Sequence, residues 1–336
     1  MLNLIGPLSS SPVIHRYPGN PVLTAADVPY PATLVFNAGV CKYQGKYVMV
    51  FRNDYGSAAE QRLDGTNLGL AYSDDGIHWD VQPKPLPDMS GGDIVRVYDP
   101  RLIVLEGRVY MCLAVDTHHG VRGGIAVTDD FEHFEILTLS VPDNRNMVLF
   151  SEKIGDRYIR LERPFPVYGR GGGERFDIWI ADSPDLRYWG NFELLLAVED
   201  IPYANTKLGP AAPPIKTSHG WLTTFHAVDT DPSRGKNGWE PFWRKRYTAG
   251  VVLLDLQNPY KIIGLYREPL LVPEAPYEVS GGFRNHAVFP CGAVLEDSGE
   301  VKLYYGAADI TLCLATAHVD DLIKLCLEGG PHPGYA

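Results

Sequence analysis

The chain has 336 residues, enough for one large all-β domain or two ordinary ones, and its formal charge of −11 comes without a clustered Lys/Arg surface. That excludes a nucleic-acid-binding role and leaves a small neutral or anionic ligand, the latter needing its own local positive site. No apolar run reaches membrane-spanning length and the first residues lack a basic, then apolar, leader pattern, so a cytoplasmic location is expected; Cys41, Cys112, Cys291, Cys313 and Cys326 sit in apolar contexts and read as reduced core residues.

Taken in order, the chain repeats a pair of hairpins five times. The first hairpin of each repeat turns at glycine: Gln44-Gly45, Glu106-Gly107, Gly155-Asp156, His219-Gly220 and Ser298-Gly299. The second is an apolar strand, an acidic turn and an aromatic, as in Leu68 to Trp79, Gly124 to Phe134 and Ile178 to Trp189, with degenerate copies at Gly250 to Tyr260 and Leu312 to Leu322. Pro-rich stretches at 83–87 and 268–273 join one repeat to the next, and helical periodicity of any length is absent. Two hairpins make a four-stranded sheet, so the repeat predicts an all-β fold, a five-bladed β-propeller in one domain spanning 1–336, with blades at about 36–80, 97–137, 144–195, 207–264 and 284–327. A two-sheet sandwich is the alternative, but it does not require five matched units.

In a propeller the first strands line the central channel, and the ends of the adjacent strands surround the same mouth. Polar residues interrupt the apolar pattern at both points: Asn37, Asp99, Asn144-Arg145-Asn146, Lys207 and Arg284-Asn285-His286 on first strands, and Arg52, Asp54, Asp116, His118, Arg163, His226 and Asp309 on second strands. Carboxylates and Asn suit sugar hydroxyls, whereas Arg145, Arg163, Lys207 and His226 form a positive group suited to a small oxyanion. The competing structural reading is that Arg145 and Arg163 pair with carboxylates to staple blades, and that Asn37 and Asp54 serve turns. Asp116, His118 and His119 lack a third distant ligand and do not make a metal site. His78 and His133 read as surface turn residues, Trp79, Phe134 and Trp189 as packing between blades. The glycine run 169–173 and the stretch 231–239 read as flaps over the channel.

With these segments the sequence resembles glycoside hydrolase family 130, the inverting β-mannoside phosphorylases. The resemblance rests on Phe36-Asn37, Phe51-Arg52-Asn53-Asp54, Tyr98-Asp99-Pro100-Arg101, Asn144-Arg145-Asn146, Arg163-Pro164, Lys207-Leu208-Gly209, Phe225-His226, Phe289-Pro290-Cys291 and Tyr304 to Asp309. It implies a five-bladed propeller, with Asp99 as the general acid acting through the 3-hydroxyl of the mannosyl unit. Arg145, Arg163, Lys207, His226 and Tyr247 would hold phosphate, and Asn37, Arg52, Asp54 and Asp309 the mannosyl hydroxyls. Phosphate is then the co-substrate, β-linked mannosyl oligosaccharides the partners, and no metal or organic cofactor is implied; homo-oligomers are common in the family. Hydrolases of the family are expected to lack part of the phosphate set, which is complete here. Two departures, Arg284 to Val288 in place of Pro-Asn-Val and the insertion at 229–246, fall around the acceptor side. The Tyr-Asp-Pro-Arg form leans towards β-1,4 linkages, with β-1,2 open.

Overall fold

Local turn chemistry explains why the hairpins recur. Gln44 and Gly45, like Glu106 and Gly107, take positive φ in the tight turns that suit the twist of paired strands. In the second hairpins one acidic side chain organises the turn: Asp75 Oδ1 accepts from the backbone N–H groups of Ile77 and His78, and Asp130, Asp185 and Asp255 repeat the arrangement. The preceding Ser73, Thr128 and Ser183 hydroxyls accept from the third residue onward. The acidic repeat is therefore a turn motif and not a ligand set.

The computed structural model describes residues 3–166 and 175–334, so the glycine run at 169–173 lies outside the described residues. A short β1 (His15–Arg16) precedes the blades. The first blade is β2 (Leu34–Tyr43), β3 (Lys46–Ser57), β4 (Arg62–Ser73) and β5 (Asp80–Val81); the second is β6 (Ile94–Leu105), β7 (Arg108–Thr117), β8 (Gly120–Thr128) and β9 (Glu135–Leu139). The third comprises β10 (Asn144–Leu149), β11 (Tyr158–Pro164), β12 (Ile178–Ser183) and β13 (Gly190–Leu196). In the fourth, β14 (Lys207–Pro210) and β15 (Ile215–Thr217) both pair with β16 (Gly220–Thr230), followed by β17 (Lys245–Leu254) and β18 (Ile262–Leu265). The fifth contains β19 (Val288–Leu295), β20 (Glu300–Ala307) and β21 (Thr311–His318), and every pairing within the blades is antiparallel. The fold is the five-bladed propeller expected. Five apolar clusters hold it, one between each neighbouring pair of blades.

The fifth blade departs from the expected pattern. The copy beginning at Leu312 is not a hairpin: after β21 the chain forms α2 (Val319–Glu328), following the four-residue α1 (Pro276–Val279). His318 caps its start, Asp320 and Asp321 sit in the first turn, and Leu322, Ile323 and Cys326 form its buried face. The missing outer strand is β1, which pairs with β21 through His15–Thr316 and Arg16–Ala315 and so closes the ring. Arg16 clamps that closure by donating to fully buried Glu278, which also accepts from Tyr305.

Candidate active site

Three inner strands carry the same irregularity at the same place. The register of β2, β6 and β10 slips between Phe36 and Gly39, Tyr98 and Arg101, and Arg145 and Val148. At each bulge one Asn or Asp takes a left-handed backbone: Asn37 with φ 50°, Asp99 with 51° and Asn146 with 58°. Asn and Asp tolerate this conformation best among residues with a Cβ, and the bulge turns each side chain out of the pleat toward the channel. Asp309, φ 52°, reaches the same place from the turn after β20. Asn37, Asp99, Asn146 and Asp309 line one cavity of about 60 Å³ with Arg52, Arg145, Arg163, Tyr247, Trp243 and Arg284.

One wall is a network of paired charges. Asn37 Nδ2 donates to Asp99 Oδ1 at 2.9 Å and Arg52 Nη1 donates to the same oxygen at 3.3 Å. Arg52 also grips Asp54 through Nε and Nη2, the latter at 2.7 Å, while Thr66 donates to Asp54 Oδ1. The Arg52 guanidinium is fixed between the rings of Phe36 and Tyr98. Burial pushes the Asp99 carboxyl up, but Arg52, Arg101, the Asn37 hydrogen bond and Arg145 together hold it below the usual carboxylate range. At Asp309 burial wins over Arg284 and Arg52, and neighbouring Asp99 adds to it, so that carboxyl is shifted up.

The opposite wall gathers cations that, among the described residues, form no ion pair with a carboxylate. Arg163 is buried between Phe165 and Phe176, and its Nε and Nη2 have no hydrogen-bond partner among the described residues. Arg145 bonds the Tyr98 hydroxyl at 3.3 Å and leaves Nε unsatisfied. Lys207 lies over the Phe176 ring at 4.3 Å. His226 is fully buried, stacks on Tyr247 and accepts at Nε2 from Arg163 Nη1 and Asn146 Nδ2, both at 3.4 Å. Gly209 makes room for that ring, since a Cβ there would meet the imidazole at 2.3 Å. Desolvation, then the other cations, bring Arg163 down to about 9, Lys207 down to about 6 and His226 well below its ordinary value. Crowding like charges out of water with donors unused is a poor way to hold blades together, and a good way to hold an oxyanion.

Of the residues singled out in sequence, Asn37, Arg52, Asp99, Arg145, Asn146, Arg163, Tyr247, Arg284 and Asp309 line the cavity, with Asp54, Lys207 and His226 directly behind it. Asp116, His118, Asn144, Asn285 and His286 do not line it. Asp116 is turned outward to Arg96 and the Tyr98 hydroxyl, and His118 is exposed on the following turn. Asn144 lies beside Glu162, between blades. The stretch 231–239 is no free flap, because Trp239 donates to the Phe283 carbonyl and Asn285 to that of Asn237. Sequence reasoning missed Arg101 and Trp243. Arg101 is buried under the site, its Nη1 donating to the Asp99 carbonyl and its Nε to that of Ala211. An Arg inside an apolar strand two residues from a candidate acid was the available signal.

The model of glycoside hydrolase family 130, described as beta-1,4-mannooligosaccharide phosphorylase, matches residues 12–328. The chain belongs to glycoside hydrolase family 130. Among its relatives in the family, the beta-1,4-mannooligosaccharide phosphorylase of Ruminococcus albus is 31% identical over 94% of this chain and 92% of its own length. The 1,2-beta-oligomannan phosphorylase of a Thermoanaerobacter species is 30% identical over 92% of this chain and 98% of its own. Among solved structures, the beta-1,2-mannobiose phosphorylase of Listeria innocua, in complex with beta-1,2-mannobiose, superimposes with a TM-score of 0.80 at 26% identity, covering 93% of this chain and 99% of that one.

Proposed function

We propose that this family 130 propeller is a β-mannoside phosphorylase, transferring a mannosyl unit from a β-linked saccharide to inorganic phosphate with inversion and releasing α-mannose 1-phosphate. The observation that carries the reading is the pair of walls: neutralised carboxylates around Asp99 facing Arg145 and Arg163, backed by Lys207, which among the described residues form no ion pair with a carboxylate. The mannosyl hydroxyls pair with Asn37, Arg52, Asp54 and Asp309. Phosphate, held by Arg145, Arg163, Lys207, His226 and Tyr247, attacks the anomeric carbon from the face opposite the departing oxygen. Asp99 supplies the proton to that oxygen through the sugar's 3-hydroxyl.

In the empty site Asp99 is ionised at neutral pH, because its neighbours hold its carboxyl low. Phosphate bound against Arg145 cancels one of those cations, so the acid gains its proton more easily once the nucleophile is in place. An inverting hydrolase needs a carboxylate base to activate water opposite the acid. Among the described residues the cation wall has no carboxylate paired with Arg145, Arg163 or Lys207, which favours phosphate as the nucleophile. With phosphate as nucleophile the reading requires no metal or organic cofactor.

The finer proposal is a β-1,4-mannoside as substrate, supported by Tyr98-Asp99-Pro100-Arg101 and the Ruminococcus albus relative. A β-1,2-mannoside is the second reading, favoured by the TM-score of 0.80 to the Listeria innocua protein. The test is incubation with each mannobiose, with and without phosphate, followed by phosphorus NMR. Phosphate-dependent α-mannose 1-phosphate is expected, and mannose released equally without phosphate overturns the proposal in favour of hydrolysis.

A further inference from the structure

The insertion around 229–246 and the unusual Arg284 segment, far apart in sequence, are one structure. Asp229 anchors the base of the strap through Arg234 and Arg246, and Gly238 bridges to Arg284. Trp243 Nε1 donates to the Asn285 carbonyl at 2.8 Å. The Trp243 ring lies parallel to Tyr247, 5.5 Å between centroids and 12° apart, and the Arg284 guanidinium lies 5.0 Å from its centre. With Tyr247 and Arg284 both against it, Trp243 is spent as packing and is not a stacking platform for a sugar.

What the strap presents to the cavity is Arg284. Its Nε is held by Glu240 of the strap at 2.5 Å and its Nη1 by Asp309 of the channel wall at 3.3 Å. Among the described residues, those bonds leave Nη2 unused. Two carboxylates neutralise the guanidinium, so its remaining donor suits a neutral hydroxyl and not a second anion. Position assigns which hydroxyl. Asp99 and Asp309 are nearly buried, whereas the Arg284 side chain is 34% exposed at the rim. The floor takes the terminal mannosyl unit, and the rim meets the next sugar.

Resting on the phosphorylase reading, we propose that Arg284 is the residue that selects the leaving saccharide, donating from Nη2 to a hydroxyl of the sugar attached to the transferred mannosyl unit. A donor fixed on both sides discriminates well, because a saccharide lacking the hydroxyl leaves it unpaired.

The test uses the full chain in the synthetic direction, with mannose 1-phosphate as donor and a panel of mannose, glucose and monodeoxy-mannose acceptors. Arg284→Ala should raise the acceptor KM at least tenfold, while the affinity for mannose 1-phosphate, which meets the change only through the Asp309 partner of Arg284, falls by clearly less in calorimetry. One monodeoxy acceptor should be poor for the wild type and lose nothing further in the variant. Glu240→Gln, a milder change at a partly exposed position, should give a smaller loss in the same direction and serves if Arg284→Ala does not fold. An unchanged acceptor KM, or mannose 1-phosphate affinity falling as far as the acceptor term, overturns the assignment. Wild-type protein that makes no mannoside from mannose 1-phosphate with any acceptor would instead overturn the phosphorylase reading itself.

Discussion

The two walls of the cavity solve opposite electrostatic problems. Around Asp99 each charge already has its counter-charge: Arg52 bonds Asp54 and Asp99, and Arg284 bonds Asp309. Across the cavity Arg145 and Arg163, with Lys207 behind them, crowd together with no carboxylate ion-paired to them among the described residues, and burial shifts Arg163 and Lys207 toward neutrality. A neutralised wall can bind and release a neutral sugar with little change in its own energy. A wall of bare cations is incomplete until an anion arrives, so it stores binding free energy for that anion.

Removing the acid should have the largest effect. Asp99→Asn keeps the size of the side chain and the surrounding packing but cannot give up a proton, so kcat for phosphorolysis should fall on the order of a thousandfold. Circular dichroism and mannose 1-phosphate binding should stay close to wild type. Near-normal turnover would show that the proton comes from elsewhere and that the paired wall only binds.

Stability separates the walls more directly. Asp54→Ala strips the partly buried Arg52 of its main partner and should cost about 3 kcal/mol in chemical denaturation. Arg163→Met removes a buried cation that, among the described residues, has no carboxylate partner to lose, so stability should stay level or rise by about 1 kcal/mol while phosphate binding collapses. Equal losses in the two variants would mean that Arg163 staples blades, and the contrast between the walls would be gone.

The propeller was legible because its signals are local and repeated: Gln44-Gly45 and Asp75 each specify a turn from neighbouring residues alone. The bulge residues Asn37, Asp99 and Asn146 were visible as polar breaks in apolar strands, although not their shared left-handed backbone. Ring closure was not legible, because the pairing of β1 with β21 joins opposite ends of the chain and leaves only the two-residue strand His15–Arg16 as its mark. The helix after His318 was hidden for a different reason. Its Asp320-Asp321 looks like the acidic turn of the repeat, and helix or turn is decided by the packing of Leu322, Ile323 and Cys326. The chain Glu240–Arg284–Asp309 spans three segments and is set by tertiary geometry, which no spacing rule exposes.

A proton measurement sharpens the contrast between the walls most finely. In the empty protein Lys207 titrates at about 6, so at pH 7.5 it is mostly neutral. A bound dianion favours the ammonium form and raises that value, so binding at pH 7.5 must draw a proton onto Lys207. Sulfate is the better probe because, unlike phosphate, it does not itself titrate in this range. Calorimetry in buffers of different ionisation enthalpy should show up to one proton taken up per sulfate. The affinity should weaken by up to about tenfold per pH unit above the empty-site value until the raised one is passed. The sign follows from a base whose pKa is low when empty and higher when occupied: binding is strongest on the acid side and is lost as pH rises. Lys207→Met should abolish this proton uptake. Asp309 lies on the paired wall, where a neutral sugar brings no charge, so mannose binding should show no comparable linkage. Proton uptake with mannose but not with sulfate would reverse the roles of the two walls.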